Sequence, residues 1–275
     1  MKTTFLNFSA VLLCASLLMI TSCKKEENDN ESDFTTQSSN LGESDKIGSD
    51  ADDMSDEAYK TGSISLRGGQ DPNSLLSSCA TVTRDTVNRT ITIDFGSGCT
   101  GLDGRTRSGQ ILISYTGSYF TTGTVRTQTF NNYFVNGNQV TGTRIVTNNG
   151  TNTTGNYTWT VQATNMRVTK PDGSYHEWNS TRTREMLAGF GTGSLGDDVY
   201  NITGSATGTD SNGGSMTATI TNPLRKELAC RYIVSGTIEI TPSNRPTRTL
   251  DYGNGSCDNQ ATVTRNGITR TITLR

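Results

Sequence analysis

The chain has 275 residues, only 31% of them hydrophobic, and a formal net charge of −2. That length accommodates one large or two small domains. The near-zero charge hides two unlike regions: 12 acids stand between Glu26 and Glu57, whereas 20 of the 24 basic residues, 17 of them arginine, stand beyond position 57 against 14 acids. The second region is therefore about +6, a mild preference for anionic partners but too dispersed for a nucleic-acid surface.

The chain opens with Met1-Lys2 and a 16-residue apolar run from Phe5 to Ile20, short for a membrane span and right for a secretory core. Thr21-Ser22-Cys23 then looks like a lipobox, so residues 1–22 are expected to be a lipoprotein signal peptide and Cys23 the acylated N-terminus. Acyl chains hold a protein on a bilayer without a spanning helix. Lys25-Glu26-Glu27 resembles the export signal of surface-exposed lipoproteins from Bacteroidetes, a resemblance that implies an outer-membrane protein facing the cell exterior, with a periplasm-facing anchor as the alternative.

Residues 24 to about 73 are rich in Ser, Asp, Glu, Asn and Gly. Such a segment buries too little apolar area to offset its ordering entropy. Residues 23–73 are thus expected to be a lipidated cysteine and a disordered acidic tether, with at most a transient helical turn in SDADDMSDEAY.

From residue 74 to 275 the pattern alternates with period 2. GQILISYTG puts Ile111, Ile113 and Tyr115 on one face, and CRYIVSGTIEI does the same for Cys230, Tyr232, Val234, Ile238 and Ile240. Thr, Val, Ile and Tyr dominate between recurring Gly, Asn and Asp. The expected fold is all-β: one antiparallel domain of about 12–14 strands, a meander of hairpins curled into a sandwich or an open barrel. Asn136-Gly137, Asp172-Gly173 and Asn266-Gly267 are hairpin centres of the primed type. The last of these pairs Ala261 with Ile272, Val263 with Arg270 and Arg265 with Ile268.

The terminal ATVTRNGITRTITL (261–274) nearly copies ATVTRDTVNRTITI (80–93). Each copy neighbours an Asp-aromatic-Gly unit and a cysteine: Asp94-Phe95-Gly96 with Cys99, and Asp251-Tyr252-Gly253 with Cys257. Related hairpin elements at 79–99 and 248–275 would finish two exposed edges or bring the first and last strands together. Cys14 and Cys23 belong to export. Of the three ways to join Cys79, Cys99, Cys230 and Cys257, the copies favour 79–99 and 230–257, each clamping the open end of a hairpin; buried free thiols are the alternative.

Chemistry is sparse. Gly191-Thr192-Gly193-Ser194-Leu195-Gly196 fits a dinucleotide fingerprint, yet it joins two β segments, so no nucleotide cofactor is expected. His176, the sole histidine, is read as a solvent-facing strand residue; no zinc spacing and no G-x-S-x-G elbow occur. Among the scattered acids, Asp94, Glu177, Glu185, Asp197, Asp198 and Asp251 show no spacing that recommends a catalytic pair. Asp94 and Asp251 are read as capping Asx-type turns rather than holding calcium, so no metal site is assigned. Asp85-Thr86-Val87 is similar to the Bacteroidetes O-glycosylation acceptor, with Thr86 on a hairpin loop. A turn centred on Asp172-Gly173 would set Arg167 opposite Trp178 and place Trp159, Arg167, His176 and Trp178 on one face. That face is either core or an aromatic and arginine surface for a ligand.

Lipobox, acidic tether and a Thr/Gly-rich domain carrying CATVT, RTITIDFGSGC, DGRTRSGQI, STRTRE, DDVYNITGSATGT, SGTIEITP and TLDYGNGSCDNQATVT together resemble a family of Bacteroidetes lipoproteins. The resemblance implies surface location and no particular activity. The reading is a membrane-anchored, non-catalytic module for a glycan, an anionic polymer or a protein partner, without cofactor or nucleic acid. The alternative is an exported hydrolase of glycans that uses carboxylates.

Overall fold

The computed structural model describes residues 31–60, 74–76, 80–192 and 194–274. Cys23, Lys25, Glu26, Glu27 and Cys79 lie outside the described residues. Among the described residues one helix, α1 (Glu31–Lys60), precedes β1 (Thr81–Asp85), β2 (Thr90–Asp94), β3 (Cys99–Thr100), β4 (Thr106–Tyr115), β5 (Val125–Val135), β6 (Asn138–Thr151) and β7 (Tyr157–Thr169). The meander continues through β8 (Tyr175–Ala188), β9 (Val199–Asp210), β10 (Ser215–Glu227), β11 (Ile233–Pro242), β12 (Arg248–Asn254), β13 (Gln260–Arg265) and β14 (Ile268–Thr273). All fourteen strands form one antiparallel sheet in chain order, with the two-residue β3 set aside against β4. Among the described residues β1 and β14 remain its two edges, so the sheet is not closed into a barrel. The near-copied hairpins are these edges.

Turn chemistry sets much of the register. Asn266 and Gly267 both take positive φ (49° and 79°), and Ala261, Val263 and Arg265 pair with Ile272, Arg270 and Ile268 as expected. The hairpin at Asp172-Gly173 differs from its expectation. There Lys170 accepts from Gly173 N–H, and Lys170 N–H donates to Ser174. The loop is thus one residue longer and ends on a left-handed Gly173, a type I turn with a bulge. The pairing slips by one, so Arg167 faces Glu177, and Trp178 faces Met166.

A repeated element bends the sheet. Ser108-Gly109-Gln110, Thr141-Gly142-Thr143, Thr203-Gly204-Ser205 and Ser235-Gly236-Thr237 each place a glycine of positive φ inside a strand. At Gly142 (φ 118°) an added Cβ would stand 2.6 Å from the Asn165 carbonyl oxygen across the strand pair, and the β6–β7 register shifts there. Bulges of this kind raise local twist and curl a sheet.

What the sheet curls around is α1. The segment expected to be a disordered tether supplies this 30-residue helix. Eight of its last ten residues, Ala51 to Lys60, are buried. Ten residues face every direction of a helix, so the sheet encloses it. Ile47, Ala51, Met54 and Ala58 recur at helical spacing and join the core formed by β2 and β4–β9; Leu41 joins the core of β9–β14. The folded unit therefore includes α1, and a boundary at residue 74 omits part of its core. Residues such as Gly48, Ser49 and Asp50 are poor helix formers; tertiary packing overrides them. Burying Ile47 and Met54 contributes roughly 1.5–3 kcal/mol each.

Candidate functional site

The inward side chains of the sheet form a cationic lane that meets the acids of α1. Arg144 on β6 grips Asp52 through two bonds of 3.1 and 2.6 Å. Asp56 sits between Arg126 of β5 at 2.5 Å and Arg184 of β8 at 2.6 Å. Arg107 of β4 reaches Asp50 at 3.4 Å and Asp103 at 2.6 Å, and Lys226 of β10 pairs with Asp53. Gly48 opens the approach, because a Cβ there would stand 2.6 Å from the Arg144 guanidinium. Burial alone would raise the carboxyls of Asp52 and Asp56. Arg144 together with Arg184 and Arg126 outweighs it at Asp52, and Arg126 and Arg184 together with Lys60 and the Tyr119 hydrogen bond do so at Asp56, holding both below the usual aspartate range. Asp53 goes the other way: its burial dominates Lys226 and pushes it up. The +6 of the β region is thus largely matched by the acids that precede it.

Of the two readings of the Trp159 and Trp178 face, core or ligand surface, the side chains take the core. Trp159 and Trp178 are 2% and 4% exposed and fill the core. Trp159 lies 5.3 Å from the Arg184 guanidinium, and Trp178 stacks on His176 at 5.8 Å. His176 is buried rather than solvent-facing. Arg167 is turned to the outer surface by a bulge at left-handed Asn165 (φ 49°), pairs with Glu177 at 2.7 Å and covers Tyr175 at 4.0 Å.

The remaining sites fall as follows. Cys230 and Cys257 form a disulfide across the open end of the β11–β12 hairpin. Cys99 is disulfide-bonded; Cys79 is outside the described residues. Asp94 and Asp251 accept from the N–H of Gly96 and Gly253 at 2.7 and 2.8 Å, the Asx turns expected. Glu185 accepts from Asn152 and Asn156, Asp197 from Thr192, and Asp198 from Lys60 and Tyr200. Gly191, Thr192, Ser194, Leu195 and Gly196 lie in the loop between β8 and β9, and Gly193 is outside the described residues. Thr86 is exposed in the β1–β2 turn.

Two cavities stand out. One of about 220 Å³ runs along α1 against Leu228, Tyr232, Ile233 and Tyr252, but its ammonium groups are engaged: Lys46 with Asp50, Lys226 with Asp53, and Lys60 with Asp198. The other is an open groove of about 530 Å³ where the end of α1 meets the β1–β2 turn and the β4–β5 loop. Tyr59, Tyr115, Tyr119 and Phe120 make its aromatic wall, with Tyr59–Tyr115 centroids 4.7 Å apart. Arg84 of β1 lies over the Tyr59 and Tyr115 rings at 5.2 and 5.5 Å and donates to the Tyr59 carbonyl at 3.2 Å. It thereby caps the last turn of α1. Arg89 donates to the Thr116 carbonyl at 2.8 Å. Asp85 fixes the turn between them by accepting from the N–H groups of Val87 and Asn88, both at 2.9 Å. No signal in the sequence marked this groove, because Tyr59 and Arg84 come from segments read as unrelated. Comparison with protein-family models, curated proteins and solved structures returned no match, so the site is read from its own geometry.

Proposed function

We propose that the chain is a lipid-anchored module of the outer membrane, displayed to the cell exterior through Cys23, that works by binding a glycan or anionic polymer rather than by turnover. The observation that supports this most is the course of α1. It begins eight residues after Cys23 and runs into the centre of the β domain, so the segment that leads from the anchor becomes a post. The seven intervening residues span at most about 25 Å fully extended, and a 30-residue helix adds about 45 Å. The groove lies at the far end of that helix, beside Tyr59 and Lys60.

The hydrolase alternative needs a carboxyl poised to exchange protons. Asp52 and Asp56 are instead held ionised among arginines, Asp53, though burial pushes its carboxyl up, is engaged by Lys226, and the six acids considered for catalysis each accept hydrogen bonds that support the fold. Thr86, exposed on the groove's rim, is offered as the acceptor of an O-glycan. Metabolic labelling with a fatty-acid analogue should mark the wild type and not Cys23→Ala. Protease treatment of intact cells should release the β domain, and less of it when Lys25, Glu26 and Glu27 are replaced by alanine. Equal labelling of both proteins, or a domain protected in intact cells, would overturn the anchored surface reading.

A further inference from the structure

We infer that the groove between the β1–β2 turn and the β4–β5 loop takes an acidic saccharide chain, its carboxylates on Arg84 and Arg89 and its sugar rings on the aromatic wall. The inference rests on reading the domain as a binding module and is independent of the anchor.

Three cations line the groove, and no carboxylate does among the described residues. Lys60 is neutralised by Asp198 at 2.9 Å. Arg84 and Arg89 make no ion pair among the described residues; each donates one described hydrogen bond, to a backbone carbonyl. A guanidinium has five donors: Arg89, bonded through Nη1, keeps the Nε–Nη2 fork that matches a carboxylate, while Arg84, whose Nε is buried and whose Nη2 holds the Tyr59 carbonyl, offers Nη1. Arg107, Arg126, Arg144 and Arg184, by contrast, each meet an acid.

The aromatic wall selects the rest of the ligand. Phe120 continues the groove toward Phe190, 5.1 Å away and 57% exposed, and Tyr157 lies 4.8 Å from Phe190. A ligand that covers arginines and this strip is elongated and has apolar ring faces as well as negative charge, which describes a chain of uronate-type sugars. Two uncompensated cations would neutralise few phosphates, so the groove is weakly suited to a nucleic acid. Its parts are already held in place, by Asp85 in the turn and by ring packing in the wall, and preorganisation lowers the cost of binding.

The test uses the full chain in detergent and calorimetric titration with an oligogalacturonate, its methyl ester and inorganic polyphosphate. The acid form should bind at least about tenfold more tightly than the ester, as expected for a charged hydrogen-bonded contact. Arg89→Asn keeps a residue that accepts left-handed φ and should lose a similar factor while melting like the wild type. Phe190→Ala, on an exposed ring, should weaken acid and ester alike. Equal binding of acid and ester, or tighter binding of polyphosphate, would overturn the assignment of ligand. Acid-selective binding unchanged in both variants would overturn the groove while leaving the module reading intact. No binding of any of the three polymers would overturn both.

Discussion

Asp56→Ala removes the carboxylate that Arg126 and Arg184 share. The three side chains are 6%, 4% and 5% exposed, and the contacts are 2.5 and 2.6 Å. Deleting one partner of a buried ion pair leaves its counter-charge desolvated, at about 3–5 kcal/mol; here two guanidiniums are left. The alanine gains a few tenths of a kcal/mol of helix propensity, too little to alter the outcome. Urea denaturation followed by tryptophan fluorescence suits the question, because Trp159 lies 5.3 Å from Arg184. Glu43→Ala on the same helix is the control: Glu43 has no ion pair among the described residues, and its loss should stay within about 0.5 kcal/mol. Asp56→Asn, which keeps the shape and loses the charge, should resemble Asp56→Ala. A loss under about 1 kcal/mol for Asp56→Ala would refute the reasoning, since the lane would then not need the helix.

Three further expectations concern the same architecture. Asp52 and Asp56 have folded pKa values below their unfolded ones, so their stabilisation is complete above about pH 4 and is lost as pH falls through the depressed values. Asp53 acts in the opposite sense; tryptophan fluorescence across pH 2–6 should nevertheless show acid release of α1 only below about pH 4. Gly142→Ala forces a Cβ onto the Asn165 carbonyl in a left-handed backbone and should cost at least about 1–3 kcal/mol in urea. Replacing Cys230 and Cys257 by serine opens a bridge of sequence separation 27 and should cost about 3 kcal/mol, read as a lower melting temperature than the oxidised wild type.

Strands and primed turns were legible because both are local. Period-2 alternation needs only neighbours on one strand, and Asn266-Gly267 specified its register unaided. The Asp172-Gly173 hairpin was not, since Pro171 completes a longer type I loop and the dipeptide alone misstates the count. The bulge at Asn165 then turned Arg167 outward, which no alternation pattern encodes. The Ser/Thr-Gly-polar triplets inside strands mark curvature that period-2 alternation alone does not register. The helix was missed because its composition is that of a solvated segment. Two clues stood apart: Ile47, Ala51, Met54 and Ala58 at helical spacing, and 12 acids facing an arginine excess across the chain. Each is weak alone; together they describe a helix and its receptor. The groove was illegible because it exists only once Tyr59 arrives beside Arg84, 25 positions later.

The ion pairs set something that apolar packing here does not. Ile47, Ala51, Met54 and Ala58 repeat every three or four residues, so a one-turn slip of α1, about 5.4 Å, would still present small or apolar groups to the sheet. The charges do not permit that slip. Moving Asp52 into the place of Asp56 leaves Arg144 buried with no acid, and moving Asp56 into the place of Asp52 strands Arg126 and Arg184. Either error costs several kcal/mol, whereas the apolar stripe alone distinguishes the registers weakly. Polar groups buried at a packed seam are known to fix register in helical assemblies at some cost in stability. In this chain the fixed register brings Tyr59 to the groove wall and Lys60 to Asp198, so the acidic helix sets the geometry of a surface that it barely reaches.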